Sequence, residues 1–319
     1  MDKTIPGIHH LTAIASDPQR NLDFYTHTLG LRLVKLTVNF DDPGTYHFYF
    51  GDELGHPGTI LTFFPWPSAP RGVLGVGQVS TIGFAIPQGA LSYWSERLQS
   101  AGVSVEGPLA RFDEQALAFT DPDGLRLELV EQPGAELRDG WADGPVPVEY
   151  AIRGFFGVTL LEADHGETET LLTETFGFRP AGQEDNRFRY EAGAGAARAR
   201  VDVLEEPETL RGRIAAGSVH HIAWRTLDDE QQLAWRQTLV DLGLQVTPVK
   251  DRQYFHSIYF HEPGGILFEI ATDPPGFSTD ETPEQLGRHL KLPPWFEPQR
   301  AQLERILPKL RLPATPREQ

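Results

Sequence analysis

Two adjacent histidine pairs, His9-His10 and His220-His221, sit in short apolar stretches, Gly7-Ile8-His9-His10-Leu11 and Val219-His220-His221-Ile222-Ala223. Neutral imidazole is both a metal ligand and a proton carrier near neutral pH. A third group, Glu269, lies inside Ile266-Leu267-Phe268-Glu269-Ile270-Ala271. A carboxylate among such neighbours is costly unless something pairs with it, and a dication is the natural partner. Two imidazoles and one carboxylate leave coordination positions open, the donor set of non-haem Fe(II) oxygenases; Mn(II) suits the same donors. The chain has no cysteine, which excludes disulfides, thiolate zinc sites, iron–sulfur clusters and thiol nucleophiles.

Successive strand residues face opposite sides, so one histidine of each pair can enter a concave sheet. His221 shares a face with Val219 and Ala223, which selects it as the ligand, and equivalence between the two stretches then selects His10. His9 and His220 are left pointing outward or standing behind the ligands, as hydrogen-bonding or acid/base partners.

The elements that must position these residues form an internal repeat. Four segments each run from a short apolar strand through an amphipathic helix to two or three strands. The first starts at Gly7, with a helix over 21–29 and strands at 31–38, 46–50 and 59–64. The second starts near Ser80, with a helix over 90–101 and a last strand at 125–131. The third starts at Gly154, with a helix over 167–176 and an end at 200–204. The fourth starts at Val219, with a helix over 229–242 and strands at 254–261 and 266–271. Phe119–Glu128 and Phe260–Glu269 align residue for residue, each with a strand, a Pro-Gly-type turn and a returning strand. Gly102 and Gly243 end the second and fourth helices, as the left-handed position after a helix prefers.

The triad draws His10 from unit one and His221 and Glu269 from unit four, so units one and four must share one cup. Units two and three would form another, with Ser80/Thr81 and Phe155/Phe156 where the histidine pairs would stand. Glu128, the counterpart of Glu269, is then structural or exposed. The chain divides into an N-terminal half (1–137), a Gly/Asp/Pro-rich linker (138–148), a C-terminal half (149–272) and a tail (273–319). The tail carries a helix over 298–307 with an apolar stripe at Leu303, Ile306, Leu307 and Leu310.

At 319 residues the chain suits about two domains. Its net charge of −17 repels phosphate backbones and anionic membranes, so nucleic acid and membrane are not expected partners. No stretch reaches the roughly 18 apolar residues of a membrane span, and the first residues lack an apolar signal core. A bacterial cytoplasm is the expected location. A homo-oligomer is compatible with the charge distribution.

The sequence resembles the vicinal oxygen chelate superfamily, and within it the ring-cleaving dioxygenases of the hydroquinone 1,2-dioxygenase type. The resemblance spans essentially the whole chain. Its specific stretches are 7–12, Thr37-Val38-Asn39-Phe40-Asp41-Asp42-Pro43-Gly44-Thr45-Tyr46-His47, Thr62-Phe63-Phe64-Pro65-Trp66, 219–223, 267–273 and Leu290-Lys291-Leu292-Pro293-Pro294-Trp295. It implies an α+β fold of four βαβββ modules in two cup-shaped mixed sheets, with a C-terminal helical tail. It also implies Fe(II) held by His10, His221 and Glu269, an aromatic substrate opened with O2, and Tyr259, Arg252, His9 and His220 beside the metal. Read from the residues alone, Tyr259 is a phenolate partner or an ordinary strand aromatic, and Arg252 a substrate clamp or a solvated charge. The Asp41–Thr45 segment has the residues of a β-turn. His47 and Trp66 are candidates for the entrance. His27, His56, His165 and His289 are read as surface residues.

Two other functions fit such a chain. A glyoxalase-like isomerase or lyase would carry a fourth protein ligand on the last strand of unit one, but Ile60-Leu61-Thr62-Phe63-Phe64 offers no carboxylate. A non-enzymatic ligand-sequestering protein of the same build would not need the triad.

Overall fold

The computed structural model describes residues 4–193 and 198–313. Each repeat is a βαβββ module. Module one comprises β1 (Ile8–Ala15), α1 (Pro18–Asp23), β2 (Arg32–Val38), β3 (Tyr46–Gly51) and β4 (Ile60–Pro65). Module two is β5 (Gln78–Ile86), α2 (Leu91–Ser100), β6 (Val105–Arg111), β7 (Glu114–Thr120) and β8 (Arg126–Glu131). Module three is β9 (Phe155–Glu162), α3 (Gly166–Thr170), β10 (Arg179–Glu184), β11 (Arg187–Ala192) and β12 (Ala199–Glu205). Module four is β13 (Val219–Thr226), α4 (Asp229–Asp241), β14 (Lys250–Asp251), β15 (Phe255–His261) and β16 (Leu267–Pro275). The tail ends in α5 (Arg300–Ile306).

Local chemistry explains the departures from the expected bounds. α1 starts at Pro18, ahead of the expected Asn21, because the Asp17 side chain accepts a hydrogen bond from the Arg20 N–H and Pro18 occupies the first turn. Both α1 and α3 end in a π-helical turn, Phe24–Thr28 and Leu171–Thr175. Gly102 and Gly243 take φ of 76° and 83°, the left-handed exit expected of them. In the tail the apolar stripe is broken. Leu303 and Leu307 are buried and Leu310 is partly so, but Ile306 is 55% exposed. The helix ends at Ile306 and Leu307 is already extended (ψ 139°), so helical spacing no longer holds beyond it.

Two eight-stranded mixed sheets result among the described residues, ordered β14-β15-β16-β13-β1-β4-β3-β2 and β10-β11-β12-β9-β5-β8-β7-β6. Modules one and four share the first, as the triad requires, and modules two and three share the second. In each, two leading strands meet antiparallel at the centre and pair in parallel with the last strand of their own modules. Every residue of β1 and β9 is buried, the pattern of strands covered on both faces. Trp94 and Leu98 of α2 and Trp235 and Leu239 of α4 bury their apolar faces in one continuous core with both sheets.

The β1–β13 pairing contains two bulges. Its register skips His9 between Ile8 and His10, and His220 between Val219 and His221. The second cup repeats the irregularity at Ser80 and Phe156. By this register Thr81 and Gly157 stand where His221 and His10 do, so the expected equivalence of Phe155/Phe156 shifts by one residue. A Cβ at Gly157 would lie 2.4 Å from the Arg200 carbonyl oxygen, so no ligand side chain fits there. Glu128 does correspond to Glu269, since it pairs with Gly83 as Glu269 pairs with Ala223. It is buried and ion-paired to Arg111, which removes the exposed reading.

Candidate metal centre

The bulges overturn strict alternation at the histidine pairs. An extra residue in one strand re-aims the side chains around it. Neither leading histidine points outward: His9 Nδ1 lies 2.9 Å from His10 Nδ1, and His220 Nδ1 lies 2.7 Å from His221 Nδ1. His9 is buried against Phe255, whereas His220 lines a cavity.

β16 brings Glu269 to both ligand candidates. Glu269 Oε2 is 2.9 Å from His221 Nε2 and 3.5 Å from His10 Nε2, and all three residues are buried. Their ligand atoms lie within 4.8 Å of one another. Ser257 Oγ donates to Glu269 Oε1, while Oε2 is a buried oxygen with no hydrogen-bond partner. An orphaned carboxylate oxygen facing two imidazole nitrogens, themselves backed by neighbouring rings, is a fitting donor set for a divalent cation. Burial would raise the Glu269 pKa, but His10 and His221 outweigh it and hold the carboxyl well below its usual range. Burial, then the neighbouring His221, pushes His220 down to about 3, so its ring is neutral at physiological pH. His9 is also pushed well down by burial and then by His10.

A cavity of about 390 Å³ opens onto this site. Tyr259 and Arg252 both line it, and Arg252 Nε donates to Tyr259 Oη at 3.0 Å. Burial, then Glu269, raises the Tyr259 pKa, so the phenol keeps its proton. His47 and Trp66 line the cavity as expected. His47 lies over Tyr49 and bonds Thr62 Oγ1 through Nε2 at 2.9 Å. Thr62 in turn bonds Thr12 at 2.8 Å, so the last strand of module one presents a hydroxyl and no fourth carboxylate.

Several site residues escaped the sequence reading. Ser257 is one, although its place two residues before Tyr259 on a strand was a usable signal. Tyr49 and Phe255, which also line the cavity, are others, and nothing in their strand positions sets them apart. Among the histidines read as surface residues, His27, His56 and His289 are exposed. His165 is half-buried, stacked on Phe188 and bonded to Glu205.

The sequence matches the model of the Glyoxalase/Bleomycin resistance protein/Dioxygenase superfamily over residues 7–129 and 157–270. The chain belongs to this superfamily. It is 50% identical to the Bacillus subtilis protein named "Putative ring-cleaving dioxygenase MhqO", covering 96% of this chain and 97% of that one. It is 36% identical to the "Chlorohydroquinone/hydroquinone 1,2-dioxygenase" of Sphingobium indicum, covering 96% and 97%. A crystal structure of a "putative dioxygenase" from Bacillus subtilis superposes with a TM-score of 0.93 at 49% identity, covering 98% and 99%. Maize glyoxalase I shares the fold, with a TM-score of 0.61 at 15% identity over 84% of this chain and 92% of that one. No helix of the described residues is long and apolar enough to cross a membrane.

Proposed function

We propose that this chain is an Fe(II)-dependent ring-cleaving dioxygenase that opens a hydroquinone-type aromatic with O2. The observation that carries the metal assignment is Glu269 Oε2, buried, without a hydrogen-bond partner and facing His10 Nε2 and His221 Nε2. The aromatic substrate class comes from the full-length relatives, whose names specify ring cleavage and hydroquinone. Bound Fe(II) would supply a template and electron conduit for the aromatic and O2.

The remaining chemistry belongs to the side chains. Phe40, Phe64, Trp66, Tyr49 and Phe255 wall the cavity and exclude water from the ring being opened. Tyr259 accepts a hydrogen bond from Arg252 and keeps its proton, so its O–H is a donor for an oxygen of the bound aromatic. His220, neutral and in the cavity wall, accepts from His221 at Nδ1 and so carries its own proton on Nε2, where it can donate a hydrogen bond to the bound aromatic. Thr62, at the position where a fourth carboxylate ligand would be needed, weakens the glyoxalase-like alternative.

The test is anaerobic loading with Fe(II) or Mn(II), followed by O2 uptake with a panel of hydroquinones and catechols. Uptake with hydroquinones, and loss of uptake when His10 or Glu269 is replaced, is expected. Bound iron without uptake for any compound overturns the reading.

A further inference from the structure

The loop between β2 and β3 carries two adjacent carboxylates, Asp41 and Asp42, at the mouth of the cavity. As a turn it needs only one of them. The Asn39 side chain accepts from the Asp41 N–H at 2.9 Å, Asp42 Oδ2 accepts from Thr45 Oγ1 at 2.9 Å, and backbone bonds between Asn39, Asp42 and Thr45 close the loop. Asp42 Oδ2 also accepts from Trp66 Nε1 at 2.8 Å, fixing an aromatic wall. The Asp41 carboxylate contributes nothing to the turn. It reaches 211 positions along the chain to module four, where Arg252 Nη2 donates to its Oδ2 at 2.8 Å. Lys250 Nζ is 3.7 Å from its other oxygen.

Arg252 therefore has three kinds of donor with distinct fates. Its Nε goes to Tyr259 and its Nη2 to Asp41, while Nη1 has no hydrogen-bonded partner among the described residues. A long, flexible guanidinium loses orientation readily unless two of its edges are held. The mouth is also balanced in charge, with Arg252 and Lys250 against Asp41 and Asp42.

We propose that Asp41 is a positioning residue that fixes Arg252 beside Tyr259 and cancels its charge, so that the site takes uncharged dihydroxyaromatics in preference to carboxylated ones. This rests on the hydroquinone reading for its substrate class. In wild type Arg252 offers an oriented hydrogen bond to a neutral ring hydroxyl and no net attraction for a carboxylate. Without Asp41 the same guanidinium is loosely placed and carries an uncompensated charge. The two changes act in opposite directions on the two classes of ligand, which a purely structural role would not do.

The test is calorimetric affinity under argon for hydroquinone and for 2,5-dihydroxybenzoate, using Fe(II)-loaded wild type, Asp41→Asn and Asp42→Asn. Asp41 is exposed, so its replacement should leave the fold intact, checked by circular dichroism. Asp41→Asn should weaken hydroquinone binding by about 5-fold, the scale of an exposed ion pair, and shift the affinity ratio toward the carboxylated ligand by about 10-fold. Asp42→Asn removes the same charge without touching Arg252 and should shift the ratio less. Equal ratio shifts in the two variants, or no shift in Asp41→Asn, overturn the proposal. So does a wild type that binds neither compound. If wild type binds hydroquinone but consumes no O2, the ring-cleavage reading fails while the affinity ratios still decide the role of Asp41.

Discussion

The Nδ1 atoms of His9 and His10 stand 2.9 Å apart, so one ring must carry the proton between them and the other must present a lone pair. If His10 offers Nε2 to a metal, its proton sits on Nδ1 and is donated to His9. His9 then holds its own proton on Nε2, consistent with its hydrogen bond to the Thr272 backbone. The same reasoning fixes His221 through His220, 2.7 Å away. Each candidate ligand would then have its tautomer set by the residue before it.

Replacing His9 with Ala should leave the fold intact and lower metal affinity by about 10–100-fold, the usual effect of removing a ligand's hydrogen-bond partner. Competition with a chromogenic chelator reads this directly. An unchanged affinity would mean that the His9–His10 contact does not orient the ligand.

Glu269→Gln should reduce metal affinity further than His9→Ala, because it removes the charged donor itself. In wild type a divalent ion at 100 times its Kd should add about 2.7 kcal/mol of stability, visible as a rise in Tm that a chelator reverses. The Gln variant should show no such rise at the same concentration. Ser257→Ala should fall between the two, since Ser257 holds only the oxygen that faces away from the histidines.

Thr168 Oγ1 lies 2.7 Å from both Glu162 Oε2 and Glu262 Oε2, yet a hydroxyl has one proton to donate. One of the two carboxyls must therefore be protonated. Glu262 accepts the Gly264 and Ile266 N–H groups, which favours its charged form, so the proton belongs to Glu162. Burial, then the charge of Glu262, pushes the Glu162 pKa up to about 8. The folded state thus binds this proton more tightly than the unfolded chain, whose Glu titrates near ~4.3. The stabilisation is complete below that value and is lost as pH rises through about 8. Glu162→Gln should match wild type at pH ~4 and exceed it by about 1–3 kcal/mol at about pH 9, measured by urea unfolding. A parallel pH dependence in the two proteins would refute the assignment.

Lys35 is fully buried and pairs with Glu281 and, at 2.6 Å, with Asp280, so it ties the start of the tail to β2. Tyr254, which bonds Asp280, packs against Tyr49, a cavity-wall residue. Lys35→Met strands the buried Glu281 carboxylate and should cost about 3–5 kcal/mol. Loss of protease protection over 276–290 before global unfolding would show that the tail detaches first.

The sequence by itself determined the module plan and the three ligand candidates. Hydrophobic runs ending in Gly-type turns recur four times, and an isolated carboxylate in an apolar strand demands a partner; both are local properties. The pairing of modules one and four was also legible, because His10, His221 and Glu269 cannot meet in any other arrangement. What the residues alone left open was whether His9 and His220 point outward or stand behind the ligand candidates. Period-two alternation does not choose between the two, and the bulges in the β1–β13 pairing bring their rings into hydrogen-bond contact with His10 and His221. Bulges arise from register between strands some 200 residues apart, so no local pattern announces them. The same is true of Asp41, which reads as a turn residue until the fold sets it beside Arg252, and of Gly157, whose small size is required only by the Arg200 carbonyl across the second sheet.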